Sequence, residues 1–147
     1  MSILRSAFGD RSILVAQRTS DWRGAVWLAG EGLVASGRTT PDYTSQMVST
    51  VEELGPYIVL APGLALAHAH PGPAVLNQGL SLVTLATPVN FGNPKNDPVD
   101  VVIGLAANDH EGHLDLMGAL AVFLTDDNMM TKLRKVTSRQ ELLELLG

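Results

Sequence analysis

DPVDVVIGLAAN, residues 97–108, is a nearly continuous run of β-branched and other apolar side chains. Such a run lacks the alternation of a half-exposed strand, so it predicts a strand that is buried on both faces. A second stretch, GLSLVTLATPV at residues 79–89, also predicts a strand, and neither of its faces is clearly the solvent side. Both strands therefore need to be covered on each side.

Helical patterns precede these strands. Residues 21–36 repeat apolar side chains with the 3.6-residue period of a helix, which Thr19 or Ser20 caps at the start and Gly37 ends. Pro41 suits the first turn of a second amphipathic helix that extends to Gly55-Pro56. The chain therefore has helices available for one side of the sheet.

Helical patterns also follow the strands. After Asn108 the apolar period becomes helical, a shorter piece surrounds Leu133, and a capping-box sequence at Ser138 opens a final helix, Arg139–Leu146. Helices at both ends with strands between them predict a three-layer α/β/α fold, a mixed β-sheet flanked by helices on both faces.

Length and composition define the broad class of protein. The 147 residues, of which 46% are apolar, predict a single domain covering residues 1–147. The net charge is −5 and the ten basic residues are scattered, which disfavours nucleic-acid binding. The absence of cysteine excludes disulfides and fits a reducing compartment. The N-terminus lacks the features of a signal peptide and no apolar stretch suits a bilayer span, so we expect a soluble, cytoplasmic protein without direct membrane insertion.

Two histidines lie close together after the second helix. YIVL and LALAHAH, separated by an APG turn, predict two short strands. On such a strand His68 and His70 share one face and the intervening alanines occupy the other. Pro71 and Gly72 then turn the chain away, which places the histidine pair at the end of the strand, a common position for a functional site.

A second pair, His110 and His113, lies where the strand at residues 97–108 gives way to a helix. The free amides and the positive end of the helix dipole at such a junction favour an anion.

Three interpretations of the histidines are open. His-x-His and His-x-x-His together offer four nitrogen donors to zinc, but the spacing of a metalloprotease is absent. In a second interpretation, each histidine is a structural polar residue at the end of a helix or strand, with its hydrogen bonds satisfied and no chemical role. This interpretation is preferred for His110. In the third interpretation, His68 is a nucleophile that accepts a phosphoryl group and His113 donates to the phosphoryl oxygens. No nucleotide-binding glycine loop is present, so no cofactor is implied.

GPYIVLAPGLALAHAHP, residues 55–71, resembles the active-site region of enzyme IIA components of the bacterial phosphoenolpyruvate:sugar phosphotransferase system. The resemblance is to the mannitol/fructose-type fold in its ascorbate-specific branch. Residues 78–120 and 133–146 extend it in the same order over nearly the whole chain.

The resemblance implies specific roles. The family's phosphorylated histidine follows a Gly-x-Ala-x-x pattern that falls on Gly63, Ala65 and therefore His68, and its second active-site histidine falls on His113. It also implies that phosphate arrives from the histidine-containing phosphocarrier protein and leaves to a cysteine of an enzyme IIB component. An enzyme IIC membrane component would then couple phosphorylation to the uptake of L-ascorbate.

Two positions depart from the family's pattern. Ala67 stands where members usually carry Pro, and YTSQMVSTVEEL, residues 43–54, lacks the Arg that mannitol-type proteins supply to the phosphoryl site. His70 is a candidate substitute donor.

The alternative function is that of a regulatory enzyme IIA-like phosphoprotein, which binds a transcription factor or a transporter instead of feeding sugar transport.

Overall fold

The computed structural model describes residues 2–126 and 128–147. In chain order the elements are α1 (Ser2–Ala7), β1 (Phe8–Gln17), α2 (Trp22–Ala35), α3 (Pro41–Leu54), β2 (Val59–Ala61), β3 (Leu64–Ala67), β4 (Gly79–Val89), β5 (Val99–Ala106), α4 (His110–Phe123), α5 (Met129–Arg134) and α6 (Arg139–Leu146).

The five strands form one sheet in the order β1-β4-β5-β3-β2. β1 runs parallel to β4 and β3 runs parallel to β5, whereas the β4–β5 and β2–β3 pairs are antiparallel. The sheet is mixed, as the sequence predicts. β5 occupies its centre, which explains why residues 97–108 are apolar without alternation.

Helices cover both faces of the sheet, and each face has its own apolar core. Val102 and Ala106 of β5 point into the core formed with α2 and α3. Ile103 and Leu105 point into the core formed with α1, α4, α5 and α6. The predicted three-layer α/β/α architecture is therefore confirmed.

α2 approaches the sheet closely at one point. The Ser81 hydroxyl of β4 donates a hydrogen bond of 2.7 Å to the Ala29 carbonyl oxygen of α2. Gly104 of β5 lies beneath this contact, and a Cβ atom on it would overlap the Ser81 hydroxyl and stand 3.2 Å from the Ala29 oxygen. Only glycine fits there without a shift of the helix.

The N-terminal helix and strand were not among the predicted elements. β1 contains polar residues and two backbone irregularities, with positive φ at Arg11 and Ala16 and shifts in its register with β4. These features hide the alternation that identifies a strand from sequence.

The predicted cap of α2 is wrong. Asp21, rather than Thr19 or Ser20, caps this helix, and its Oδ1 accepts from the Gly24 amide at 3.0 Å.

Across residues 2–126 and 128–147, none of the helices combines the length and the apolarity that a bilayer crossing requires.

Candidate functional site

The strand that carries the first histidine pair is shorter than the sequence predicts. β3 ends at Ala67, its last residue paired with β5, opposite Gly104. The prediction that His68 and His70 lie on the strand itself is wrong, because both follow it. The chain leaves the sheet here, and side chains after the strand are free to turn toward the neighbouring helices.

Tyr43 of α3 holds this segment in place. Its buried hydroxyl accepts a hydrogen bond of 3.0 Å from the Ala69 amide and donates one of 2.7 Å to the Leu105 carbonyl oxygen of β5. Burial raises the pKa of Tyr43 to about 12, so the hydroxyl keeps its proton at neutral pH. One side chain thus fixes the residue after His68 to the end of the central strand.

The second histidine pair lies in the first turn of α4. Asp109 caps the helix, and its Oδ1 accepts a hydrogen bond of 2.7 Å from the Gly112 amide. His110 is the first helical residue and is exposed, whereas His113, one turn further, is partly buried. The cap sets where the turn begins, and the helical period then directs His113 toward the end of β3.

The structure brings His68 and His113 together. Their ring centroids are 5.5 Å apart, with an angle of 51° between the ring planes. Both rings line a pocket of about 190 Å³ that is open to solvent. The residues that line it are Thr50, Tyr57, His68, Ala69, His70, Pro71, His110 and His113. A larger groove, of about 630 Å³, lies between α2 and α3 and contains none of the four histidines.

The hydrogen bonds of His68 determine its tautomer. Nδ1 lies 2.9 Å from the carbonyl oxygen of Leu66. Because a carbonyl oxygen only accepts, Nδ1 carries the hydrogen and donates it. In the neutral ring Nε2 therefore keeps its lone pair, and this nitrogen faces the pocket, 3.4 Å from the hydroxyl oxygen of Tyr57.

His113 is held in its neutral form. Burial lowers its pKa from 6.5, and the neighbouring imidazoles of His68, His110 and His70 lower it further. Its Nδ1 is buried without a hydrogen-bond partner, which leaves Nε2 as the nitrogen that meets the pocket. A neutral His113 can donate through Nε2–H to an anion beside His68.

The position where mannitol-type proteins carry Arg remains without a cation. α3 contributes Thr50 to the pocket, and none of the lining residues within the described ranges is Lys or Arg. Imidazoles and hydroxyls are thus the side-chain donors available to an anion there. His70, the candidate substitute, lines the pocket and is itself exposed.

A metal site receives no support from the arrangement of the ligands. Among the residues that the structure describes, no group of three or more His, Asp or Glu side chains is arranged to hold a metal ion. The four imidazoles line one pocket but do not converge on one point. The zinc interpretation therefore lacks a ligand set.

The sequence does not predict the position of Tyr57 in the pocket or the anchoring role of Tyr43. Tyr43 stood out only as one member of an apolar helical face, since nothing in the sequence shows that its hydroxyl reaches Ala69. Tyr57 is the first residue of the predicted strand YIVL, but β2 begins only at Val59, so Tyr57 lies before the strand. Its exposed ring, packed edge-on to His68, is a tertiary feature.

Comparisons with known proteins identify the family of the chain. Residues 6–147 match the family model described as "Phosphoenolpyruvate-dependent sugar phosphotransferase system, EIIA 2". The chain is 36% identical to the ascorbate-specific phosphotransferase system EIIA component of Escherichia coli K12, over 99% of this chain and 96% of that protein.

Solved structures give the same result. The mannitol-specific cryptic enzyme IIA of Escherichia coli superposes with a TM-score of 0.85 at 30% identity, and the match covers 97% of each chain. The mannitol enzyme IIA of Escherichia coli, solved in complex with phosphorylated mannitol enzyme IIB, superposes with a TM-score of 0.81 at 30% identity. That match covers 94% of this chain and 95% of the other.

Proposed function

The chain belongs to the EIIA 2 family of the phosphoenolpyruvate-dependent sugar phosphotransferase system, and on that premise we propose that His68 is its phosphorylated residue. His113 is the residue that stabilises the phosphoryl group. The observation that carries this proposal is the approach of the two rings, 5.5 Å between centroids, within a pocket open to a visiting protein.

The tautomer of His68 assigns the nucleophilic atom. The Nε2 lone pair attacks the phosphorus of a phosphohistidine on the donor protein. The new N–P bond forms as the donor's N–P bond breaks, and the electron pair of that bond stays on the donor's imidazole nitrogen. His68 keeps its Nδ1 hydrogen, and the Leu66 carbonyl oxygen, 2.9 Å away, stabilises the positive charge that the ring acquires.

The same hydrogen bond favours onward transfer. A phosphorylated ring that retains its Nδ1 proton leaves as a neutral imidazole when a second nucleophile attacks the phosphorus. His113 Nε2–H donates to the phosphoryl oxygens in both steps, where their charge develops. Its neutral state at rest allows the ring to take up a proton as the anion arrives.

The partners follow from the chemistry of the relay. The donor is the histidine-containing phosphocarrier protein, and the acceptor is a cysteine of an enzyme IIB component, which serves an enzyme IIC membrane component. The related mannitol enzyme IIA forms a complex with its phosphorylated enzyme IIB. Tyr57, which lines the pocket, and Leu114, which follows His113 in α4, are 45% and 55% exposed, and they supply apolar area to a transient docking surface.

The sugar that we propose is L-ascorbate. The support is the name of the related Escherichia coli protein, which is 36% identical over 99% of this chain. The carrier itself never contacts the sugar in this scheme, because enzyme IIC binds it.

Labelling from phosphoenolpyruvate in the presence of enzyme I and the phosphocarrier tests the proposal. Wild-type protein is expected to acquire an acid-labile, base-stable label, and His68→Ala is expected to acquire none. Gln140→Ala, a change at an exposed position of α6 that does not line the pocket, is expected to keep the label. Undiminished labelling of His68→Ala would rule out the assignment.

A second stage separates the carrier from the regulatory alternative. Labelled protein is mixed with the enzyme IIB of the ascorbate system, and a carrier passes its label to the IIB cysteine. A regulator retains it.

A further inference from the structure

A half-exposed tyrosine shares the pocket with the two histidines. Tyr57 lies between α3 and β2, and its ring packs edge-on to the His68 ring, with centroids 5.7 Å apart and an angle of 83° between the planes. Its hydroxyl oxygen is 3.4 Å from His68 Nε2, the atom assigned as nucleophile. The hydroxyl therefore lies on the side from which phosphorus has to approach.

The direction of this contact follows from the His68 tautomer. Because Nδ1 donates to the Leu66 carbonyl, Nε2 presents a lone pair, and the Tyr57 O–H is the donor. At 3.4 Å the hydrogen bond is long and correspondingly weak. The hydroxyl can therefore leave Nε2 at low cost, and the exposure of the side chain, 45%, gives it room to move.

We propose that Tyr57 is a catalytic residue of the phosphoryl transfer, which gives up Nε2 as phosphorus approaches and then donates its hydroxyl hydrogen to a phosphoryl oxygen. This inference rests on the proposed phosphorylation of His68. No bond to Tyr57 forms or breaks, its proton stays on the phenol oxygen, and only the acceptor of its hydrogen bond changes.

The Tyr57 hydroxyl matters because the pocket offers few other donors to a phosphoryl group. The phosphoryl group brings negative charge to a site in which no described lining residue is Lys or Arg. The donors near Nε2 are the ring of His113 and the hydroxyl of Tyr57, which approach His68 from different elements. A hydroxyl that lies within reach of the nucleophile in the resting protein needs little reorganisation to meet the oxygens of the bound group.

The hydroxyl is also in the correct protonation state. Burial raises the pKa of Tyr57 above its ordinary value of 10.0, so the group stays protonated throughout the physiological range. It can donate to an anion and cannot act as a base toward one.

Tyr57→Phe tests the proposal, because it removes the hydroxyl and keeps the ring that packs on His68. The measurement is the equilibrium distribution of phosphate between the phosphocarrier and this protein, together with the ³¹P resonance of phospho-His68. The variant loses a hydrogen bond to a charged acceptor only in its phosphorylated state. We therefore expect the equilibrium to shift about 10- to 100-fold toward the phosphorylated form of the phosphocarrier protein. The ³¹P resonance is expected to move as well.

A packing role makes a different prediction. Tyr57→Leu removes both the hydroxyl and the ring. If Tyr57 acts only by packing, Tyr57→Phe keeps the wild-type equilibrium and ³¹P resonance, and Tyr57→Leu alone departs from them. That result would overturn the inference while His68→Ala still fails to label, so the proposed function would stand. Labelling of His68→Ala would instead contradict the proposed function itself.

Discussion

The hydroxyl oxygen of Tyr43 lies 3.0 Å from the backbone nitrogen of Ala69, the residue that follows His68. The same hydroxyl donates to the Leu105 carbonyl oxygen, one residue before the end of β5. α4, which carries His113, begins shortly after that strand. A single buried phenol therefore joins α3 to the end of β5 and to the segment that follows β3, which carries His68.

Tyr43→Phe is expected to destabilise the fold and to slow phosphoryl transfer. The substitution leaves the buried Ala69 amide without its acceptor, which costs about 1–3 kcal/mol. It also releases the segment that positions His68. Urea denaturation measures the first effect and single-turnover labelling the second. Tyr57→Phe, whose hydroxyl lies on an exposed side chain, is the stability control and is expected to stay within about 0.5 kcal/mol of wild type. Equal stability of both variants would contradict this role for Tyr43.

The sequence predicts the two long inner strands of the sheet well, because a strand that is buried on both faces consists mainly of apolar residues. Residues 79–89 and 97–108 are apolar on both faces since helices cover each side, and β4 and β5 occupy those stretches. β1 was not predicted, because its positive φ angles and register shifts interrupt the alternation of apolar and polar side chains by which a strand is identified.

The sequence predicts the site only in part, because its hydrogen bonds depend on tertiary structure. The spacing of the histidines and the family resemblance predict which residues meet, and the rings of His68 and His113 do lie side by side. The hydrogen bonds of the His68 ring depend on the end of β3 at Ala67: Nδ1–H donates to the Leu66 carbonyl oxygen, and Nε2 accepts from the Tyr57 hydroxyl. No local pattern shows where a strand stops pairing.

His113→Ala is expected to label slowly. The variant keeps the nucleophile but loses the donor beside it, and the loss of a positioned donor lowers transfer rates by about 10²- to 10⁴-fold. His113→Gln retains a neutral N–H group and is expected to recover part of the rate. Rapid-quench labelling from the phosphorylated phosphocarrier protein measures both, with Gln140→Ala, outside the pocket, as the control. A wild-type rate in His113→Ala would show that this ring has no part in the transfer.

Gly104→Ala is expected to destabilise the protein by about 1–3 kcal/mol. The added methyl group would overlap the Ser81 hydroxyl, press on the Ala29 carbonyl oxygen, and force α2 away from β5. Gly118→Ala is the matched control, because no atom lies within 4 Å of a Cβ at this exposed position of α4. There the higher helix propensity of alanine is expected to stabilise by about 0.5–1 kcal/mol. Equilibrium denaturation of both variants measures the change in the free energy of unfolding. A change of the same sign in both would contradict the close approach of α2 to β5 at Gly104.

His113 is expected to make the unphosphorylated protein less stable as the pH falls. Burial lowers its folded-state pKa from 6.5, and its neighbours His68, His110 and His70 act in the same direction. The unfolded chain therefore binds the proton first, so the stability present above pH 6.5 is lost as the pH falls from there toward the lowered folded value. His113→Gln cannot take up this proton, and urea denaturation at pH 7.5 and 5.5 is expected to show a smaller loss in the variant than in wild type. Phosphorylation of His68 is expected to act in the opposite direction on this pKa, since a dianion beside the ring favours the protonated form of His113. An NMR titration of His113 with and without the label measures that rise, and an unchanged pKa would mean that the ring does not sense the phosphoryl group.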